Sequence, residues 1–180
     1  MGGGDREGAQ GVWQVGAVGA TIAGDMFARA SVAALHYLAL GVGLGAVVAR
    51  GLRLRALRRA PTDAAQLTPL FHADSLWGLA AALWLATGLL RAFAGLEKPT
   101  AFYLSNGFFY VKMALFLAVF ALEIAPMVTF IKWRVARGRG ATPWTTAPVG
   151  RLVRLNDVEV VLVVLIPFAA ALMARGAWLF

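Results

Sequence analysis

Four long apolar runs, each carrying a few ionisable residues, constrain what this chain can fold into more than any other feature of its sequence. They cover about residues 27–48, 74–96, 107–131 and 158–180. A helix needs about 20 apolar residues to cross the hydrocarbon core of a bilayer, and all four runs reach that length. The chain is 60% hydrophobic and only 14% charged, with a mean hydropathy of +0.71. A soluble domain of 180 residues would lack the polar groups to cover that much apolar side chain. The expected fold is an all-α membrane protein, a four-helix transmembrane bundle over 26–180, preceded by a glycine-rich flexible or interfacial segment over 1–25.

The net charge of +8 does not point to nucleic acid, because the arginines sit in short blocks between the apolar runs rather than across a soluble face. The first connection holds Arg50, Arg53, Arg55, Arg58 and Arg59; the third holds Lys132, Arg134, Arg137, Arg139, Arg151 and Arg154. The positive-inside rule places both connections in the cytoplasm and both termini outside. Phe102, Tyr103, Phe108, Phe109 and Tyr110 then form an aromatic belt at the outer interface. The chain has no cysteine, which excludes disulfides, iron–sulfur clusters and thiol catalysis. The first residues lack a basic segment leading into a compact apolar one, so no cleaved signal peptide is read there.

Ionisable groups within a span are costly and are functional candidates by default. At about 1.5 Å of rise per residue, His36 lies roughly 14 Å from the outer end of its span, and Arg91 and Lys112 lie roughly 8 Å from theirs. Arg175 falls at a similar or shallower depth. Asp74, His72, Glu123, Asp157 and Glu159 fall in the inner half or at its edge, so the expected bundle is basic outside and acidic inside. Lys112 and Glu123, eleven residues apart, share one face of the third span, as Trp77, Trp84 and Arg91 do on the second. Asp74 and Ser75 are candidate N-caps for the second helix. Pro126 and Pro167 are candidate kinks, and Gly41 with Gly45 forms a small-xxx-small packing pair.

Each polar residue also has a plainer reading. His36 reads either as a ligand or proton-transfer group or only as a hydrogen-bonding partner for a neighbouring helix. Lys112 and Arg91 either face a pocket or snorkel to the outer headgroups. Glu123 could be neutralised by Lys132 or Arg134, and His72 reads as an interfacial loop residue. Gly41–Ala46 matches G-x-G-x-x-A formally, but it lies inside a membrane span rather than between a strand and a helix, so it is not a dinucleotide fingerprint. Two histidines without cysteine make a poor zinc or copper site.

The run DSLWGLAAALWLATGLLRAF from Asp74 to Phe93, EKPTAFYLSNGFFYVK from Glu97 to Lys112, Leu35–His36 and MARG from Met173 to Gly176 together resemble the bacterial membrane family known as domain of unknown function 2214. The resemblance covers about residues 30–180. That family is in turn distantly similar to the four-helix proteins grouped with CopD and with the HemJ-type protoporphyrinogen oxidase. This implies a bacterial inner-membrane location, and a histidine on the first span and a lysine on a later one beside a bound haem or porphyrin. His36 and Lys112 are the matching positions, while the longer motifs around the oxidase's histidine and lysine are not evident here.

The leading expectation is a protein that binds haem b or a porphyrin in the outer half of the bundle, with a redox role. His36 would be the metal ligand and, with Lys112, any catalytic pair. Arg91, Lys98, Lys112 and Arg175 would hold the propionates, and Trp77, Trp84 and Phe109 would pack on the ring. His72 is too far in depth to be the second axial ligand; Met113, Lys112, another chain or no second ligand are the alternatives, which favours an open-coordinate or substrate-porphyrin site. If it is an enzyme, it is a porphyrin- or quinone-linked oxidoreductase. The alternatives are a metal-ion or proton transporter using His36, Lys112 and Glu123 as a stepped polar path, or an accessory subunit. The lipid bilayer is the expected partner, with a homo-oligomer or an electron-transfer partner possible and nucleic acid excluded.

Overall fold

A computed structural model describes the backbone of residues 4–60, 64–140 and 148–177 and the side chains of residues 24–60, 65–140 and 148–177. Among these the chain is all helix. Helix α1 runs Gly4–Arg59, α2 Leu67–Phe93, the short α3 Thr100–Leu104, α4 Gly107–Gly138 and α5 Val149–Ala174, with a 3-10 turn at Ala64–Gln66 before α2. Four of these helices are long and apolar enough to cross a membrane, the first through its segment Gly24–Arg59. The lead-in expected over 1–25 falls almost wholly on side chains outside the described residues.

Successive long helices run antiparallel. Helix α1 packs on both α2 and α5, and α5 packs on α4, whereas α2 and α4 keep their backbones further apart and meet through long side chains such as Trp77 with Glu123 and Asp74 with Arg134. The order around the bundle is therefore α2, α1, α5, α4, with a groove between α2 and α4 that their side chains line. The end carrying Arg53–Arg59 and Arg137 is here the basic end; the end carrying α3 is the aromatic end. The positive-inside rule assigns the basic end to the cytoplasm.

The helices outrun their apolar stretches at the basic end. There, Leu54, Leu57, Leu67, Leu70, Phe130, Trp133 and Leu152 form a tightly buried cluster. Burying large side chains at about 1.5–3 kcal/mol each stabilises a polar-ended region that hydropathy alone would assign to loops. This extension corrects two expectations. Asp74 and Ser75 lie a full turn and more inside α2, which begins at Leu67, so neither is a cap. His72 is an exposed helical residue rather than a loop residue.

At the aromatic end Asn106 caps α4: its Oδ1 accepts from the Phe108 amide at 2.9 Å. Its Nδ2 donates to the Ala177 carbonyl at 3.1 Å, tying the start of α4 to the chain beyond α5. Arg29 on α1 donates to the Leu96 carbonyl at 2.6 Å, fixing the loop after α2. Tyr103 and Phe109 turn inward with ring centroids 5.9 Å apart, while Tyr110 is exposed.

The expected Gly41–Gly45 packing pair is not a contact within the chain, since a Cβ at either position would meet nothing within 4 Å. Gly43 makes the close approach instead. A Cβ there would lie 3.3 Å from both Ala80 and the Trp77 ring, so this glycine sets the spacing of α1 and α2. Pro126 and Pro167 both lie inside α4 and α5.

Candidate functional site

Two polar centres occupy the interior, about 10 Å apart along α2 by its seven-residue step from Trp77 to Trp84. Each receives an indole N–H from that one face of α2. The centre toward the aromatic end is built on His36, which is 8% exposed. Thr87 spends its hydroxyl proton on the Leu83 carbonyl at 2.7 Å, so its Oγ1 accepts from His36 Nδ1 at 2.9 Å. Trp84 Nε1 donates to His36 Nε2 at 3.0 Å. These directions make His36 a neutral imidazole with its proton on Nδ1 and its Nε2 lone pair occupied. Gly88 leaves room for the ring, as a Cβ there would come 3.2 Å from His36 Cε1.

Beside His36 is a cavity of about 260 Å³, walled by Tyr37, Arg91, Tyr103, Phe109 and Lys112 among others. Arg91 pairs with Glu97, donates to the Tyr37 hydroxyl at 3.2 Å and lies over that ring at 4.9 Å. Burial, and secondly the Glu97 carboxylate, push the Tyr103 phenol above its usual range, so it stays neutral and does not compete for the cations. Lys112 makes no hydrogen bond or ion pair among the described residues. The structure thus gathers His36, Trp84, Arg91, Phe109 and Lys112 around one space.

It does not gather the remaining candidates. Arg175 is exposed at the end of α5, and Lys98 is exposed with its ammonium 3.9 Å above the Phe102 ring. Both lie beyond the helix ends, where side chains turn outward. Trp77 belongs to the other centre. Below the cavity, a groove of about 530 Å³ follows the α2–α4 cleft past Trp84, Phe116 and Trp77 to Glu123 and Asp74. Among the described residues no three His, Cys, Asp or Glu side chains are grouped to hold a metal ion.

The second centre surrounds Arg50, which is fully buried. Its Nε donates to Asn156 Oδ1 at 2.9 Å, and its Nη1 to Glu123 at 2.8 and 2.9 Å and to Asp74 at 3.3 Å. Its Nη2 bonds the equally buried Glu159. Arg134 donates to Asp74 Oδ2 at 2.8 Å and to the Phe71 carbonyl at 3.0 Å. Trp77 Nε1 donates to Glu123 at 3.0 Å. One guanidinium thus joins all four long helices. Sequence reasoning placed Arg50 at the end of the first span and sought a partner for Glu123 at Lys132 or Arg134. The available signal was that Arg50 alone among the loop-one arginines adjoins the apolar run and lies two turns N-terminal to Leu57 on the same face.

Gly51 is part of this centre. A Cβ there would lie 2.5 Å from Asn156 Nδ2, displacing the amide that accepts from Arg50. Gly51→Ala is expected to cost about 1–3 kcal/mol, the range for leaving a buried donor unsatisfied, measured as a fall in stability in detergent. An unchanged stability would show that Asn156 is not needed by Arg50.

No curated protein and no solved structure matched the chain. Residues 28–177 match the family described as "Predicted membrane protein (DUF2214)", a stretch that contains both polar centres and, apart from the start of the first, all four helices long and apolar enough to cross a membrane, and the chain belongs to that family.

Proposed function

We propose that the outer cavity binds the acidic edge of an amphiphile taken from the bilayer, with haem or a porphyrin as the leading candidate. The observation that carries this reading is Lys112: an ammonium with no hydrogen bond or ion pair among the described residues, on the wall of a cavity where Glu97 is already paired with Arg91. An uncompensated cation there is costly, and a carboxylate would compensate it with charge-assisted hydrogen bonds. The cavity is smaller than the roughly 300–1,000 Å³ of sites that enclose a whole ligand. It therefore suits a propionate-bearing edge, leaving the apolar ring to lie in the α2–α4 groove against Trp84 and Phe116.

Ligation of iron by His36 does not fit the hydrogen bonds observed, because the Nε2 lone pair accepts from Trp84. The fit is to the carboxylates, and His36 serves as a polar wall held by Trp84 and Thr87. When bound, haem supplies one-electron redox chemistry; the residues of this chain supply the cations, the aromatic wall and the exclusion of water. A redox role, an electron-transfer partner and a bacterial inner-membrane setting belong to this proposal.

The test is titration of the chain in lipid nanodiscs with haem and with metal-free protoporphyrin, followed by absorption and tryptophan quenching. Comparable binding of both, weakened in Lys112→Met, supports the reading. Binding of haem alone, abolished by His36→Ala, would return His36 to the role of iron ligand. Binding of neither would end the proposal.

A further inference from the structure

The charge count around Arg50 does not balance. Asp74, Glu123 and Glu159 supply three carboxyl groups, while Arg50 and Arg134 supply two guanidiniums. The neighbouring Arg55 and Asp157 pair with one another, so they change nothing. One negative charge is left over at a place where Arg50 and Glu159 have no exposure at all. Buried charges that lack compensation are neutralised or not tolerated.

The hydrogen bonds locate the surplus. Glu159 uses Oε2 on Arg50, and its Oε1 is buried with no hydrogen-bond partner. Glu123 and Glu159 bond the two terminal nitrogens of that one guanidinium, Nη1 and Nη2. Two carboxylates held on one guanidinium repel each other, and a single proton shared by the pair removes the surplus charge. Glu123 accepts both from Arg50 and from Trp77, so it is the better-stabilised anion and Glu159 the better proton carrier.

We propose that this cluster is a proton-binding site in which Glu159 and Glu123 hold one proton between them against the Arg50 guanidinium. Every long helix contributes to it: Arg50 from α1, Asp74 from α2, Glu123 and Arg134 from α4, Glu159 and Asn156 from α5. The ligand is a proton rather than a metal ion, because no group of three ligating side chains is placed to hold a metal among the described residues. Its route of exchange is the α2–α4 groove. The Glu123 side chain is 21% exposed while that of Glu159 is fully buried, and Glu123 lines the groove. A proton from the groove reaches Glu123 first and Glu159 second, with no other bond made or broken. None of its charged side chains lines the outer cavity.

The test uses the full chain in nanodiscs at neutral pH. Infrared spectroscopy is expected to show a protonated-carboxyl C=O band that shifts in deuterium oxide and is absent from Glu159→Gln. Glutamine mimics the protonated acid, so Glu159→Gln and Glu123→Gln are each expected to melt with wild type. The double variant leaves Asp74 alone against two arginines and is expected to melt well below either. No protonated band in the wild type, a band that persists in Glu159→Gln, or a single variant as unstable as the double would each overturn the proposal. So would sodium-dependent stabilisation of a chain without the band, which would assign the surplus charge to a metal cation.

Discussion

Arg50→Leu is expected to destabilise the bundle more than any other single side-chain replacement. The wild-type guanidinium satisfies Asn156, Asp74, Glu123 and Glu159 at once. Without it, Glu123 and Glu159 lose their shared guanidinium and only Arg134 remains, bonded to Asp74 alone among the three acids. Removing one partner of a buried ion pair costs about 3–5 kcal/mol, a large share of a membrane bundle's stability. The loss should appear as a lower midpoint in detergent unfolding or as failure to purify as a monodisperse species. Because the cost comes from abandoned charges rather than lost packing, Arg50→Leu combined with Glu123→Gln and Glu159→Gln should recover much of it. A loss under about 1 kcal/mol for the single variant, the range of solvent-exposed pairs, would mean that water screens this cluster.

Lys112→Met is expected to move two observables in opposite directions. The wild-type ammonium makes no hydrogen bond or ion pair among the described residues, so an isosteric apolar side chain should raise the melting temperature of the ligand-free chain. The same change should weaken binding of a carboxylate-bearing porphyrin. Truncating one partner of a buried charge pair costs 2–5 kcal/mol, and its lower limit of about 2 kcal/mol corresponds to roughly 30-fold in affinity. Function held against stability in this way is a common mark of binding sites. Parallel melting curves and porphyrin titrations of wild type and variant are decisive. A variant that is both less stable and equally able to bind would show that Lys112 is a structural residue snorkelling toward the surface.

The two centres differ in how legible they were before the fold was known. His36, Arg91 and Lys112 were marked by depth alone, since an ionisable residue inside an apolar run is conspicuous in one dimension. Trp84 and Phe109 followed from helical phase and from the aromatic cluster. Arg50 escaped because it sits at a run's end beside four other loop arginines, and position along the chain does not distinguish a snorkelling arginine from one turned inward. Asp74 and Glu159 were assigned to edges for the same reason. The helices continue past their apolar stretches, and the basic-end core of Leu57, Leu70, Phe130 and Trp133 brings those edges inside.

By itself the sequence determined the class of object: four helices, because only a helix satisfies its own backbone in lipid, with the basic connections at one end and the aromatic residues at the other. Which side chains meet was decided only by the tertiary structure. The groove between α2 and α4 and the single guanidinium joined to all four helices depend on the rotation and neighbour order of the helices. So does the engagement of both His36 nitrogens. In a bundle, rotation and order follow from close packing at positions such as Gly43, Gly51 and Gly88, where the fit between two helices counts and hydropathy is silent.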